Sequence, residues 1–301
     1  MDILVTGASG YVGGALIPRL LDAGHAVRAF ARDPGRVRAP VPVVRGDAVT
    51  GTGLDEALDD IDVAYYLIHS MESGPPSPDG FRGRDRQAAE RFAAAATDAG
   101  VGRIVYLGGL MGGSPHLASR VEVEASLLRA VPDSLALRAS IIVGAHSRSF
   151  RFLVRLVERL PVVPLPAWRR YRTQPIDGRD VLSYLVAAAT ADAAGGERLD
   201  LAGPEALTYG EIIARIRDAL LVGRATLPLG FTATPLASHV AAAIAGEDHA
   251  LVGPLMEGLT GDLLARDDRA QRLLGVRLHP FDAAVERALR EWEAEEELAA
   301  R

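Results

Sequence analysis

Three glycines recur at a spacing of three within residues 6–13, Thr-Gly-Ala-Ser-Gly-Tyr-Val-Gly. This segment follows an apolar run, Asp2–Val5, that predicts a strand, and it opens a pattern over Tyr11–Ala23 that predicts a helix. The first glycine permits a tight turn, the second lets backbone approach a pyrophosphate, and the third allows close packing of helix on strand. The helix start also offers unpaired amides to phosphates. We therefore predict a dinucleotide site, with an ordinary glycine-rich turn as the alternative; the predicted contacts are Gly7, Ser9, Gly10, Tyr11, Val12 and Gly13.

Short β-branched runs alternate with amphipathic stretches over the first two hundred residues, which is typical of βαβ units that feed a parallel sheet. The predicted strands are Asp2–Val5, Ala26–Ala31, Val41–Val44, Val63–Ile68, Arg103–Leu107, Leu135–Ile142 and Arg198–Ala202. The predicted helices are Tyr11–Ala23, Leu54–Leu58, Asp79–Ala99, Leu117–Ala130, Phe150–Leu160, Arg179–Thr190 and Phe281–Leu298, and Thr208 with Glu211 predicts a capping box before one more. We expect an α/β fold, a Rossmann-type doubly wound parallel sheet with a smaller, mostly helical C-terminal cap.

No internal repeat or low-complexity linker divides the chain. We expect residues 1–145 to form the nucleotide-binding core. Residues 146–301 are expected to supply the remaining core elements and a substrate-side cap that is not an independent domain.

Composition argues against several classes of function. The net charge of −6 and the pI near 5.7 do not suggest a polyanion-binding surface, so we expect no nucleic-acid partner. The longest apolar stretch, Pro235–Ala245, is too short to span a bilayer, so no membrane partner is expected. Cysteine is absent, and the histidines form no metal-ligand pair such as His-Glu-x-x-His, so we expect neither thiol chemistry nor a metal. Because the first residues already resemble a strand, we expect no signal peptide and a cytoplasmic location.

The end of the second strand distinguishes between the two nicotinamide cofactors. An acid there suits the ribose 2′-hydroxyl of NAD(H), whereas an arginine suits the 2′-phosphate of NADP(H). Arg32 comes first and Asp33 follows, with Arg28 and Arg36 adding positive charge, so NADP(H) is favoured over NAD(H). A solvated turn before Pro34 is the alternative for Arg32 and Asp33.

The third strand is followed by Gly46-Asp47-Ala48, which suits a carboxylate that faces the adenine edge. In the alternative, Asp47 is a turn residue. We place both Asp47 and Ala48 among the cofactor contacts.

These motifs resemble the extended and atypical short-chain dehydrogenase/reductase superfamily, and more narrowly its NmrA-like, NAD(P)H-binding branch. The segments that carry the resemblance are residues 6–14, 46–47, 64–70, 104–109, 114–120, 137–144, 173–176 and 259–262. The resemblance implies that the nicotinamide end lies against Ala139, Ser140 and Ile141. We expect further cofactor contacts from Leu67, His69 and Gly108, at strand ends where α/β sheets bind ligands.

The chain departs from the superfamily at the catalytic residues. Active members usually carry Tyr-x-x-x-Lys on the helix after the fifth strand, with a preceding serine or threonine; here His116-x-x-x-Arg120 and Gly108-Gly109 stand in those places. His116 could donate a proton while Arg120 grips ribose or phosphate. Alternatively the two only position the cofactor and solvent supplies the proton, or they are structural, with Arg120 paired to Glu124 one turn on.

We expect an NADPH-dependent reductase that acts on a small apolar carbonyl, enone or quinone-like substrate. A non-catalytic NADP(H) redox sensor is the alternative, and an isomerase or epimerase that retains its cofactor is a weaker one. Tyr171, Arg172 and Gln174 either line the substrate side or form a surface strand edge. A homodimer is possible, because helices that flank such sheets often pair.

Overall fold

The computed structural model describes residues 1–68, 80–112, 115–191, 195–230, 261–296 and 298. Within these ranges a seven-stranded parallel sheet forms the centre, in the order β3-β2-β1-β4-β5-β6-β11. Its strands are β1 Asp2–Thr6, β2 Ala26–Ala31, β3 Val43–Arg45, β4 Val63–Tyr66, β5 Arg103–Gly109, β6 Leu135–Ala139 and β11 Arg198–Leu201. The chain starts in the middle of the sheet, builds outward to β3 and then returns to the other side of β1. This doubly wound order confirms the predicted fold class.

Helices cover both faces of the sheet. They are α1 Tyr11–Asp22, α2 Leu54–Leu58, α3 Gly80–Asp98, α4 Pro115–Ala130, α5 Arg148–Arg159, α6 Gly178–Thr190, α7 Tyr209–Ala219, α8 Arg269–Leu274 and α9 Phe281–Glu293. Alternate residues of β1 point to opposite faces: Ile3 and Val5 join the core beneath α1 and α6, whereas Leu4 joins the core beneath α2, α3 and α4. The period-2 geometry of a strand therefore separates two apolar cores within one sheet.

A third apolar core lies beneath the C-terminal elements and is built mainly from α5, α7 and α9. Three two-stranded pairings connect the elements of this region: β7 Ile142–Val143 with β10 Ile176–Asp177, β8 Val162–Leu165 with β13 Ala225–Pro228, and β9 Arg172–Thr173 with β12 Leu207–Thr208. The C-terminal region nevertheless contributes β11 to the main sheet and α6 to the core around α1.

Trp292 anchors α9 to α5. Its ring is fully buried, and the guanidinium groups of Arg151 and Arg155 lie 4.2 and 4.7 Å from the ring centroid. Glu296 accepts hydrogen bonds from the indole Nε1 of Trp292 and from Arg151, both at 3.1 Å, and it also pairs with Arg155. Cation–π contacts and apolar burial therefore act at the same position.

Element boundaries differ from the predicted ones where a local hydrogen bond intervenes. β3 starts at Val43 rather than Val41, because Pro42 has no N–H to donate to the ladder. β4 ends at Tyr66 rather than Ile68, because the amide of Leu67 donates to the Thr6 hydroxyl. α4 starts two residues early, at Pro115, a residue favoured in the first helical turn.

The predicted strand Leu135–Ile142 is two strands. β6 ends at Ala139, where its partner β11 also ends, and the carbonyl of Ile141 then accepts the Ile176 amide at 2.9 Å. α9 ends at Glu293 rather than Leu298, because the last turn tightens as Glu296 folds back to Trp292. The capping box of Thr208 and Glu211 is confirmed at the start of α7.

Among the described residues, every helix is too short or too polar to cross a membrane.

Replacing Trp292 with alanine should lower the free energy of unfolding by about 3–5 kcal/mol, since it removes a large buried ring and leaves a cavity. Urea unfolding followed by circular dichroism measures this change. Arg290→Ala on the exposed side of the same helix is the matched control and should change stability by less than about 0.5 kcal/mol. Equal stability of the Trp292 variant and the control would contradict the anchoring role of this ring.

Candidate functional site

In α/β sheets ligands bind in the crevice at the carboxyl ends of the strands where the strand order reverses, and in this sheet the order reverses between β1 and β4. The Thr6 hydroxyl donates to the Tyr65 carbonyl at 2.9 Å and accepts from the Leu67 amide at 3.1 Å, so it links the two strands at this edge. Gly7 follows with a φ of +63°, and a Cβ on it would lie 2.8 Å from the Leu67 carbonyl oxygen. Only glycine combines this backbone conformation with so close an approach.

The glycine motif folds into a compact loop at the start of α1. The Gly10 amide donates to the Gly7 carbonyl at 2.9 Å. A Cβ at Gly13 would lie 2.4 Å from the same carbonyl oxygen, which shows how closely the helix approaches the loop. The absence of side chains at these glycines therefore exposes backbone amides at the crevice.

No side chain caps the N-terminus of α1. Its N-cap residue, Gly10, provides no side-chain hydrogen bond, and its first turn contains no acidic residue. The Asp177 carboxylate caps α6 and the Thr208 hydroxyl caps α7, whereas α2, α5, α8 and α9 also lack a side-chain cap, so it is the glycine-lined loop before it that distinguishes the start of α1. The first amides of α1 are thus available to an external acceptor, and with the glycine-lined loop they fit the diphosphate of a dinucleotide.

Arg32 and Asp33 lie side by side just beyond β2, and both are exposed. The Asp33 carboxylate accepts the Gly35 amide at 3.1 Å and caps the short 3₁₀ turn Pro34–Arg36. The Arg28 guanidinium donates to three carbonyls at the end of α2, and its contribution of positive charge to the cofactor site stays a prediction.

The carboxylate of Asp47 is engaged in a turn. It accepts the Val49 amide at 2.7 Å, while the Asp47 amide donates to the Thr52 carbonyl at 3.0 Å. Ala48 is buried beside it. These bonds are the geometry expected of the turn alternative, and contact with adenine stays a prediction.

The remaining predicted contacts line the carboxyl edge of β4, β5 and β6. Leu67 is nearly buried, Gly108 lies against the Tyr106 ring, and Ala139 is buried at the end of β6. The Ser140 hydroxyl donates to the Gln174 carbonyl, and the Ile141 carbonyl accepts the Ile176 amide. His69 and its neighbour Ser70 lie outside the described residues.

His116 and Arg120 lie on α4, although the side chain of His116 is outside the described part. Burial lowers the pKa of the Arg120 guanidinium, and the nearby Tyr106 and Asp85 partly oppose this shift. The Tyr106 hydroxyl also donates to the Arg120 carbonyl at 3.4 Å. The neighbours of Arg120 therefore include groups of the core beneath α3 and α4.

Glu124, proposed in one interpretation as the partner of Arg120, belongs to a buried charge cluster. It accepts two hydrogen bonds from Arg138, both at 2.7 Å, and one from Arg198 at 2.8 Å. Asp200 lies 3.9 Å from Arg138 and accepts hydrogen bonds from Arg266. The cluster connects α4, β6, β11 and the segment that contains Arg266.

Gln174 connects the cap to the sheet edge, a role that its sequence position did not reveal. Its carbonyl accepts the Ser140 hydroxyl, its side-chain oxygen accepts the Ala265 amide at 2.9 Å, and its Nε2 donates to the Gly203 carbonyl at 3.4 Å. The neighbouring Arg172 lies in β9, paired with β12, and forms a salt bridge with Asp262 at 2.8 Å. Tyr171 is 37% exposed, so this stretch has the features of a surface strand edge.

Comparison with known proteins agrees with this geometry. A family model described as NAD(P)H-binding matches residues 7–134. The chain is 32% identical over 227 residues to the (4-alkanoyl-5-oxo-2,5-dihydrofuran-3-yl)methyl phosphate reductase of Streptomyces griseus subsp. griseus, a match that covers 72% of this chain and 73% of that protein.

Solved structures share the fold. MoeE5 in complex with UDP-glucose and NAD has a TM-score of 0.74 at 19% identity and covers 98% of this chain and 99% of its own. UDP-glucose 4-epimerase from Thermotoga maritima, solved with UDP-glucose, has a TM-score of 0.76 at 11% identity, with the same coverage of both chains. At these identities the similarity concerns the fold alone.

Replacing Gly13 with alanine should raise the Kd for NAD(P)H by about tenfold or more, because the new Cβ must push α1 away from the Gly7 carbonyl. Titration followed by nicotinamide fluorescence measures the Kd. Gly14→Ala is the matched control, since its Cβ would make an ordinary contact, 3.4 Å from the Ala8 carbonyl oxygen, and its Kd should stay within about twofold. Similar Kd values for the two variants would refute the close-packing role of Gly13.

Proposed function

Because the chain belongs to the short-chain dehydrogenase/reductase superfamily, as an atypical, NAD(P)H-binding member, we propose that it is an NADPH-dependent reductase of a small carbonyl, enone or quinone-like molecule. The observation that carries this proposal is the uncapped, glycine-lined start of α1 at the switch point of the sheet. Gly7, Ser9, Gly10, Tyr11, Val12 and Gly13 would hold the diphosphate there.

The choice of NADPH rests on the end of β2. Arg32 is exposed just beyond β2, the strand end near which dinucleotide-binding folds hold the adenosine ribose, and its guanidinium is permanently charged. The acid that would instead select NADH, Asp33, has a carboxylate oxygen engaged by the Gly35 amide. A permanently charged arginine at the end of the second strand favours the phosphorylated cofactor.

Ala139, Ser140 and Ile141 would lie against the nicotinamide, with Leu67, His69 and Gly108 on the neighbouring strand ends. A bound reduced nicotinamide supplies hydride. The Ser140 hydroxyl is committed to the Gln174 carbonyl, so it serves to fix this edge rather than to donate a proton to substrate. Asp47 and Ala48 would lie toward the adenine.

The substrate class follows from the residues that the chain lacks. With Gly108-Gly109, His116 and Arg120 in place of the usual serine, tyrosine and lysine, His116 is the one residue of this set that could protonate a carbonyl oxygen. A double bond conjugated with a carbonyl requires less help, because its charge is delocalised and water can protonate the carbon. The name of the Streptomyces griseus relative describes reduction of an acylated oxo-dihydrofuran, a substrate of this electronic type.

A redox sensor is the second candidate. The absence of the usual serine, tyrosine and lysine at Gly108, His116 and Arg120 favours it, since these three are the residues that do the chemistry in active members. An isomerase or epimerase that retains its cofactor is a weaker alternative.

We also propose that the chain belongs to the NmrA-like branch, acts in the cytoplasm and pairs as a homodimer. Residues 1–145 would form the nucleotide-binding core, and residues 146–301 the remaining core elements and the cap. The contribution of β11 to the main sheet and of α6 to its core supports a cap that is not independent.

Turnover distinguishes the reductase from the sensor. Oxidation of NADPH, followed at 340 nm, is expected with acyl-butenolides, enones or quinones, and His116→Ala should keep at least about a third of the rate if water supplies the proton. Tight NADPH binding without turnover on this panel would favour the sensor. A loss of about a hundredfold in the His116 variant would make His116 the acid.

Arg32→Ala should weaken NADPH binding by about tenfold to a hundredfold, because a charged hydrogen bond to the 2′-phosphate is lost. NADH binding should change by less than about threefold. The control is Arg290→Ala, the same charge change at an exposed position on α9. Equal losses for NADPH and NADH would disprove the cofactor assignment.

A further inference from the structure

Tyr11 is the first residue of α1, and its ring reaches from the glycine motif into the C-terminal half of the fold. A Cβ added at Gly144 would lie 2.0 Å from the Tyr11 hydroxyl oxygen, and one added at Gly178 would lie 2.4 Å from it. Real Cβ atoms do not approach an oxygen so closely. The ring therefore occupies the space that side chains at these two glycines would need.

The two glycines belong to a junction of three elements. Gly144 directly follows β7, Gly178 begins α6, and β7 pairs with β10, which leads into α6. Asp177, the N-cap residue of α6, is bonded to Arg179 and, at 3.0 Å, to Arg287 of α9. The Tyr11 ring thus contacts the point where α6 is capped and joined to α9.

The Tyr11 hydroxyl is shielded from solvent. Burial, with smaller effects from Arg287, Glu291 and Asp177, raises the pKa of Tyr11 to about 12. The His146 ring lies beside it, with centroids 6.1 Å apart. At neutral pH the group is therefore a neutral phenol whose role is steric.

We propose that Tyr11 sets the position of the diphosphate-binding amides by wedging its ring against Gly144 and Gly178, which makes these two glycines positioning residues for the dinucleotide. Both lie outside the glycine motif. The backbone of Tyr11 is part of the proposed diphosphate site, so a displacement of its ring displaces the first turn of α1. This inference rests on the proposed dinucleotide binding.

Gly178→Ala tests the wedge directly. The new methyl should push the Tyr11 ring and raise the Kd for the dinucleotide by about tenfold. In a Tyr11→Phe background the hydroxyl is gone, and the nearest remaining atoms are the Val143 carbonyl oxygen at 3.3 Å and the ring Cζ at 3.5 Å. The same Gly178→Ala change should then cost at most about twofold, a difference that a double-mutant cycle measures.

Gly144→Ala is the matched comparison. The Cβ of the Gly144→Ala variant would still lie 2.9 Å from the ring Cζ after the hydroxyl is removed. Tyr11→Phe should therefore restore little of the dinucleotide affinity that Gly144→Ala removes. Rescue of Gly178→Ala but not of Gly144→Ala is the pattern that the wedge geometry requires. Absence of rescue for Gly178→Ala would overturn the proposal.

A ligand without the diphosphate distinguishes a displaced diphosphate site from a general disturbance of the fold in Gly178→Ala. Adenosine 2′-monophosphate, or adenosine if NADH is the cofactor, lacks both phosphates of the diphosphate, so its Kd should stay within about twofold in Gly178→Ala. Equal weakening of dinucleotide and monophosphate would overturn the wedge. If unmodified protein binds neither NADPH nor NADH, the proposed function fails, whereas normal dinucleotide binding by Gly178→Ala refutes the wedge alone.

Hydrogen exchange on the unmodified protein gives a test that does not depend on a variant's folding. Dinucleotide should slow amide exchange in the first turn of α6, residues 178–181, as well as in residues 10–14. Protection confined to residues 10–14 would overturn the coupling.

Discussion

The close contact between the first turn of α1 and the Gly7 carbonyl is the constraint on which the site depends. A Cβ added at Gly13 would lie only 2.4 Å from the Gly7 carbonyl oxygen, so the helix packs closely on the loop. Gly7 in turn lies close to the Leu67 carbonyl of the neighbouring strand. These approaches leave backbone amides, rather than side chains, at the crevice between β1 and β4. A site built from amides binds an anion without requiring a charged side chain, which agrees with the mildly acidic composition of the chain.

The cap is connected to this edge by polar contacts as well as by an apolar core. Gln174 joins Ser140 to Ala265, and Asp200, beside the buried pair of Arg138 and Glu124, accepts hydrogen bonds from the half-exposed Arg266. Buried charges are costly unless they are paired, so these contacts specify one arrangement of the segment at 261–266 against the sheet. The elements that would line a substrate pocket are thus held against the same strand ends that would bind the cofactor.

Local patterns in the sequence predicted most of this fold, because alternating apolar runs and helix caps are encoded by neighbouring residues. Ala26–Ala31 and Leu54–Leu58 have the predicted bounds, and the Thr208–Glu211 capping box is present. The features that were missed depend on contacts distant in sequence: the break after Ala139, the links made by Gln174, and the Tyr11 ring between Gly144 and Gly178. The hydrogen bonds of Arg28 to the carbonyls at the end of α2 are distant contacts of the same kind. The glycine motif was informative because its function resides in the backbone.

The most direct measurement of the central claim is the amide spectrum of the nitrogen-15-labelled protein during titration with NADPH. The amides of Tyr11 and Val12 should shift strongly on binding, and phosphate-free nicotinamide riboside should leave them unchanged. Binding of NADPH with unperturbed amides at both positions would contradict diphosphate binding at the start of α1, because the diphosphate would then lie elsewhere.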